Sequence, residues 1–326
     1  MKRIKSDKNG FNVVSLFSGI GGLDLGFEYA GFNIAWANDF DKYAVATYKE
    51  NVNHNIVFGD IRTLKNTIPK HDVLIGGFPC QPFSSLGKLK GFDDEGRGTL
   101  FFEIKDILLK NDTKVVVLEN VKNIINHDHG NTFKRILKEL DDAGYYCYYK
   151  VLNSCDYGVP QRRNRMFLVG FNKKYFEDVE FIFPKEKKLK VSTQDLLDKD
   201  VEEKYFLTKK ISKTILSRGT KNYVAKPTID LSISKTLTAT MNKMHRASQD
   251  NYVTDDINYK KVNDKNRINI RKLTPNECRK LQGFPNDWKQ VVSDCQAYKQ
   301  FGNAVTVNVA YAIANELDKY MKDNIK

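Results

Sequence analysis

Val13-Val14-Ser15-Leu16-Phe17-Ser18-Gly19-Ile20-Gly21-Gly22-Leu23 joins an apolar run to a glycine turn and then to a helical pattern. Residues 13–17 have strand length, 18–22 form the turn, and 23–30 carry apolar residues at helical spacing. A strand ending in a glycine turn that opens a helix is a nucleotide-cofactor site. Glycines let a ligand approach the backbone, and the helix N-terminus offers unpaired N–H groups. The spacing is not Gly-x-Gly-x-x-Gly, which disfavours a dinucleotide. Residues 32–37 read as the second strand, followed by Asn38-Asp39-Phe40, where a carboxylate suits a ribose diol and an aromatic ring suits adenine. Gly59-Asp60-Ile61 follows a third strand and offers a carboxylate to the adenine amino group. Each piece alone reads as a tight loop; three at consecutive strand ends read as one site.

Further out, residues 72–75, 115–118 and 166–169 are apolar runs of strand length, and 43–51, 101–109 and 133–143 are helical by spacing. This alternation predicts an α/β fold with a mostly parallel sheet covered by helices on both faces. After residue 171 the text turns polar, with short strand-like runs such as 236–240. Helical patterns return at 271–282, with Thr274 as cap and Pro275 as first helical residue, and at 303–321. The division expected is therefore 1–184, a smaller strand-rich domain at 185–270, and a return to the first domain at 271–326.

The formal net charge is +13, and residues 185–272 hold 21 basic against 11 acidic residues. That excess favours a polyanionic partner, nucleic acid first. The five cysteines are scattered without a Cys-x-x-Cys pair, and His127 and His129 have no further ligand near them in sequence. A reduced cytoplasmic protein without a metal site is expected. No apolar run has the length of a membrane helix, and residues 1–12 do not form a signal peptide.

Chemistry gathers at three further segments. Gly76-Gly77-Phe78-Pro79-Cys80-Gln81-Pro82-Phe83-Ser84 places Cys80 on a loop beyond a strand's carboxyl end, where such sheets bind ligands. Glu119 ends the run Val115-Val116-Val117-Leu118, and a carboxylate delivered there needs a partner or a task. In Gln161-Arg162-Arg163-Asn164-Arg165, alternation sends Gln161, Arg163 and Arg165 to one side, where they are expected to meet Glu119 and a substrate oxygen.

These segments, in this order, closely resemble the cytosine-5 DNA methyltransferases of bacterial type II restriction–modification systems. The resemblance covers almost the whole chain: the Phe17-Ser18-Gly19-x-Gly21-Gly22 turn, Pro79-Cys80-Gln81, Glu119-Asn120-Val121, Gln161-x-Arg163-x-Arg165, residues 271–285, and Gln300-Phe301-Gly302-Asn303-Ala304-Val305. It implies a Rossmann-like methyltransferase fold with a target-recognition domain between Arg165 and Arg271. It implies methylation of carbon 5 of a cytosine in a short sequence of double-stranded DNA, with the base flipped out of the duplex. Cys80 would be the nucleophile at carbon 6, and Glu119 would hold ring nitrogen 3 and the exocyclic amine. Arg165 would bond the carbonyl oxygen, supported by Arg163.

The cofactor implied is S-adenosyl-L-methionine, leaving as S-adenosyl-L-homocysteine. Its expected contacts are Phe17, Ser18, Gly19, Gly21, Gly22 and Leu23 in the turn, and Asn38, Asp39, Phe40, Asp60 and Ile61 at the next two strand ends. Gly77, Pro79 and Leu100 flank the cysteine loop, and Asn303, Ala304 and Val305 lie near the C-terminus. Residues 86–98 read as a mobile basic lid. DNA contacts are expected from Ser84, Lys88, Lys90, Arg97, Gln161, Arg218, Thr220, Thr236, Thr238 and Arg246. Arg218 and Arg246 are candidate base readers, while Lys243 suits a phosphate. A monomer is expected in the cytoplasm with the nucleoid; the sequence leaves open whether a cognate endonuclease exists, and one that does is expected to form no stable complex with it. The alternatives are a tRNA cytosine-5 methyltransferase and a non-catalytic relic. Gln81-Pro82-Phe83-Ser84 follows the DNA-acting pattern, and none of Cys80, Glu119 and Arg165 is lost.

Overall fold

A computed structural model describes residues 2–52, 55–78, 100–177, 180–217, 219–220, 223–224, 228–242, 246 and 248–326. They fall into two compact units. The first comprises Ile4–Asn153, Asn164–Lys185 and Val309–Lys326. The second comprises Ser154–Arg163 and Glu186–Asn308, with the first residues of the chain.

The first unit runs β1 (Asn12–Leu16), α1 (Gly22–Tyr29), β2 (Asn33–Asp39), α2 (Lys42–Asn51), β3 (Ile56–Phe58), α3 (Ile61–Leu64), β4 (Val73–Gly77), α4 (Leu100–Asn111), β5 (Val115–Val121), α5 (Asn131–Asp142) and β6 (Tyr145–Asn153). The short β7 (Gln161–Arg162) belongs to the second unit, and β8 (Asn164–Asn172) completes the sheet of the first. Among the described residues this sheet has seven strands in the order β3-β2-β1-β4-β5-β8-β6. The pairs β3–β2, β2–β1, β1–β4 and β4–β5 are parallel, while β8 is antiparallel to both neighbours.

The central strands read as continuous apolar runs because both faces are covered: Val13, Val14, Leu16, Val73, Leu74, Ile75 and Val115 to Leu118 are all fully buried. The mostly parallel sheet expected is present. Neither β6 nor the reversed direction of β8 is among the expectations from sequence. In α1, a Cβ at Gly26 would stand 2.3 Å from that of Ala310, so the glycine admits the C-terminal helix to close contact.

The second unit contains β9 (Phe206–Thr208), α6 (Lys209–Leu216), β10 (Gly219–Thr220), β11 (Tyr223–Val224), β12 (Ser234–Lys235), β13 (Tyr252–Thr254), α7 (Asp256–Tyr259), β14 (Arg267–Lys272), α8 (Pro275–Leu281), α9 (Asp294–Asn303) and the start of α10 (Val307–Asn324). Its antiparallel sheet has the order β13-β14-β9, and β12 pairs in parallel with β7. Arg271, fully buried, ties it together: Nε lies 2.7 Å from Asp255 Oδ2 and the terminal nitrogens 2.8 and 2.9 Å from the Glu277 carboxylate.

The start of α8 is as expected, with Thr274 as cap and Pro275 as first helical residue, closed by a capping box with Glu277, while Arg271 and Lys272 ahead of it belong to β14. The helix expected over 303–321 is α10, which begins at Val307: α9, a separate helix, ends at Asn303, and Ala304 is extended (φ −61°, ψ 148°). Consequently α8 and α9 group with residues 186–308, and the return to the first unit begins at Val309 rather than at 271. Of the strand-like run 236–240, no residue is in a strand; the pairing stops at Lys235.

Candidate active site and cofactor edge

At the carboxyl edge of β1 the chain turns sharply. Phe17 holds φ 54°, a strained value for a side chain of that size, and Gly19 (φ 55°) and Gly21 (φ 82°) continue the left-handed path that glycine permits. At Gly21 a Cβ would stand 2.9 Å from the Tyr48 ring. Gly21 caps α1 without a side-chain hydrogen bond of its own, which leaves N–H groups at the start of the helix for a ligand. Gly19 N–H donates to Asp39 Oδ2 at 2.8 Å, and Asp41 N–H to Asp39 Oδ1 at 2.8 Å. Burial raises the pKa of Asp39. The two carboxylate oxygens together retain acceptor capacity for a hydroxyl.

Phe40 follows with 73% of its surface exposed, a flat apolar face beside an acid. Asp60 caps α3, and Arg62 grips its carboxylate, which lowers its pKa and keeps it ionised. A ring, an acid for hydroxyls, an acid for an amine and an open helix N-terminus fit a ligand with a ribose and an adenine. Asn38 differs from expectation: it is buried, and its amide donates to Val57 O and Gly59 O at 2.9 Å, so it fixes β2 to β3. Leu23 and Ile61 are buried as well, and Leu100 packs at the start of α4.

Two strands away, Gly77 of β4 pairs with Glu119 of β5. A Cβ at Gly77 would stand 3.3 Å from Glu119 Oε2, so the glycine leaves the carboxylate room. Arg165 Nε of β8 lies 3.1 Å from Glu119 Oε1, both side chains being mostly buried (16% and 11% exposed). Burial lowers the pKa of Arg165 while Glu119 opposes the shift, and an arginine remains a cation throughout. Asn120, which the sequence reading left without a role, donates to Phe78 O at 2.8 Å and so anchors the approach to the cysteine loop. Pro79, Cys80, Ser84, Lys88, Lys90 and Arg97, with the whole lid 86–98, lie outside the described residues, as do Arg218 and Lys243.

Gln161 and Arg163 belong to the second unit. Both are fully buried there. Gln161 Oε1 accepts the N–H of Leu237 at 3.0 Å, and Arg163 donates to Leu237 O at 2.9 Å. Two side chains thus hold both backbone groups of one buried residue. Arg163 also donates to Gly302 O (3.0 Å) and Ala304 O (2.8 Å), and the Gln161 amide to Leu281 O (2.8 Å). The terminal nitrogens of Arg163 and the amide nitrogen of Gln161 thus brace backbone carbonyls within the second unit.

Gln282 completes the brace, reaching Phe301 O and accepting from the Thr306 hydroxyl. A Cβ at Gly302 would stand 2.3 Å from the Thr238–Ala239 backbone, which explains the glycine before Asn303. Asn303 is exposed, whereas Ala304 and Val305 are buried in this unit. Thr236 donates to Arg162 O at 2.7 Å. Arg246, expected to read a base, donates to Thr238 Oγ1 (2.8 Å) and Asp250 Oδ1 (3.2 Å). Thr220 is described as backbone alone, in β10.

Among the described residues no group of His, Cys, Asp and Glu is placed to hold a metal ion, and no helix is long and apolar enough to cross a membrane.

The strand order, with one reversed strand next to the edge and the polar groups at the carboxyl ends, defines the class: a Rossmann-like methyltransferase fold. The C-5 cytosine-specific DNA methylase family matches residues 11–319, and the chain belongs to it. It is therefore an enzyme, a DNA (cytosine-5-)-methyltransferase. It is 41% identical over 317 residues to the type II methyltransferase M.NlaX of Neisseria lactamica, covering 94% of this chain and 96% of that one. It is 37% identical over 326 residues to the type II methyltransferase M.Bsp6I of Bacillus sp. (strain RFL6), covering 95% and 99%. Among solved structures, a Spodoptera frugiperda DNMT2 mutant superposes with a TM-score of 0.73 over 94% of this chain and 99% of that one; at 22% identity this shows the shared fold.

Proposed function

We propose that the chain methylates carbon 5 of one cytosine within a short, specific sequence of double-stranded DNA, with the base flipped out of the helix and held covalently during the reaction. The observation that carries this reading is the Glu119–Arg165 pair beside Gly77. It sets a carboxylate and a guanidinium 3.1 Å apart at the end of β5, with a glycine where a side chain would block them. A cytosine ring offers an amine and a ring nitrogen to the carboxylate and a carbonyl oxygen to the guanidinium.

Carbon 5 of an intact cytosine is a poor nucleophile. The Cys80 thiolate adds to carbon 6, forming a carbon–sulfur bond and turning carbon 5 into the end of an enamine. Glu119 supplies or shares a proton at ring nitrogen 3 as negative charge arrives there, and Arg165 stabilises the carbonyl oxygen. Phe17 to Gly22, Asp39, Phe40 and Asp60 would hold S-adenosylmethionine, whose sulfonium methyl would pass to carbon 5 with S-adenosylhomocysteine as the leaving group. A base then removes the carbon-5 proton, the carbon–sulfur bond breaks, and the thiolate is released. The second unit would hold the DNA, its basic residues dividing between phosphates and base edges. Identity of 41% to a type II methyltransferase supports a DNA rather than an RNA substrate. We read the chain as a cytoplasmic monomer.

Bisulfite-type sequencing of DNA from cells expressing the chain tests the reading, with transfer of labelled methyl groups to duplex DNA and to tRNA as the companion assay. Methylation at one sequence context in DNA is expected. The Cys80→Ala variant should lose methyl transfer while still binding cofactor and DNA. Turnover above a few per cent of wild type would remove Cys80 from the nucleophile's place.

A further inference from the structure

Asp24 lies in the first turn of α1 and is completely buried. Its Oδ1 accepts from Ser15 Oγ at 2.8 Å and its Oδ2 from the Tyr48 hydroxyl at 2.6 Å. Ser15 Oγ accepts in turn from Ser18 Oγ at 2.8 Å, and Ser18 Oγ accepts the N–H of Asn38 at 3.3 Å. One line of donors therefore runs from the end of β2, through the turn between β1 and α1, to a single carboxylate, with α2 closing the other side. Such chains polarise one another; the Ser18 hydroxyl also lies 3.1 Å from the Ser15 carbonyl, and the shorter bond is the one to Ser15 Oγ.

Burying a carboxylate is costly, and an apolar or amide side chain fills such a space more cheaply. Burial raises the Asp24 pKa to about 6, so at neutral pH the group is mostly ionised in spite of the cost. Glu28, one turn further along α1, pushes in the same direction. Tyr48 on α2, its own pKa raised by burial and by Asp24, stays protonated and donates. The charge is held directly under residues 17–21.

We propose that Asp24 is a positioning residue for the cofactor: its carboxylate orients the hydroxyls of Ser15 and Ser18 and so fixes the shape of the turn at residues 17–21. This rests on the cofactor reading given above. Asp24→Asn keeps the volume and one acceptor but cannot receive both donors.

The test is calorimetric titration of the whole chain with S-adenosylhomocysteine, with thermal melting in parallel. At pH 7.5 the Asp24→Asn variant should bind about tenfold more weakly, the size of one charge-assisted hydrogen bond. Its melting temperature should equal or exceed that of wild type, since the desolvation cost is gone. On acidification the wild type should approach the variant as pH falls through about 6. Asp39 and Asp60 titrate on the same edge in both proteins, so the difference between the two curves isolates Asp24. Affinities within twofold of each other at pH 7.5, or a gap that does not narrow in acid, overturn the proposal. Should Asp24→Asn not fold, Tyr48→Phe carries the test with about threefold weaker binding expected; unchanged binding overturns it equally. A wild type that binds no S-adenosylhomocysteine fails the cofactor reading itself. A wild type that binds, with variants that match it, fails the positioning role alone.

Discussion

Arg163 and Arg165 stand two residues apart on one alternating segment and reach different regions of the molecule. Arg165 turns toward Glu119 in the first unit, where it keeps some exposure and one ion pair. Arg163 is buried in the second unit and gives its donors to the carbonyls of Leu237, Gly302 and Ala304. A guanidinium is a rigid fork of five donors. Beside a carboxylate at a strand end it can share those donors with a substrate. Facing three backbone carbonyls in a buried space it becomes part of the scaffold. Residue type and spacing are the same in both regions; the partner decides the task.

The largest effect that separates the two regions is on stability. Arg163→Ala leaves buried carbonyls without donors and a void where the guanidinium lay, so it should cost about 3–5 kcal/mol. Thermal or urea unfolding measures it, with the second unit affected first in hydrogen exchange. A fully stable Arg163→Ala protein that has lost turnover would return Arg163 to the reaction and dissolve the contrast.

The next effect is on rate. Glu119→Gln keeps size and most hydrogen bonds but cannot supply a proton in the same way. Single-turnover methylation should slow by about 100-fold, with unfolding nearly unchanged. An unchanged rate constant would make Glu119 an ion-paired acid and no more.

The contrast also shows what a sequence makes legible. Local signals came through: the glycine turn with its positive φ values, the apolar central strands, and the Thr274-Pro275 helix start are each written in neighbouring residues. What depends on distant partners did not. The reversal of β8 is a matter of which strand it meets, and Met166 to Val169 read the same in either direction. The break after Asn303 is set by carbonyls at 302 and 304 that Arg163 captures from some 140 residues away in sequence. An aspartate in the first turn of a helix reads as an ordinary partner of the helix dipole. That Asp24 is buried between Ser15 and Tyr48 appears only when β1, α1 and α2 are assembled.

The smallest effect expected concerns Arg246, and it sharpens the same distinction within the second unit. Sequence chemistry makes it a candidate fork for a guanine edge. In the structure its NH2 group instead bonds Thr238 Oγ1 and Asp250 Oδ1, and its own N–H donates to Asp250 Oδ2. Those bonds tie Arg246 to Asp250 and to Thr238, next in sequence to the Leu237 held by Gln161 and Arg163. Arg246 therefore resembles Arg163 more than Arg165: a brace, though a half-exposed one. Arg246→Ala should loosen this tie at a cost of about 1 kcal/mol, the usual scale for a partly exposed pair. A loosened tie weakens contacts to every sequence alike. Methylation kinetics across all single-base variants of the target site should then fall by a similar factor at each position. A direct base contact behaves otherwise: it is worth about 1–3 kcal/mol of discrimination at one base pair. Relaxed recognition confined to one position would show that Arg246 leaves Thr238 and Asp250 when DNA arrives.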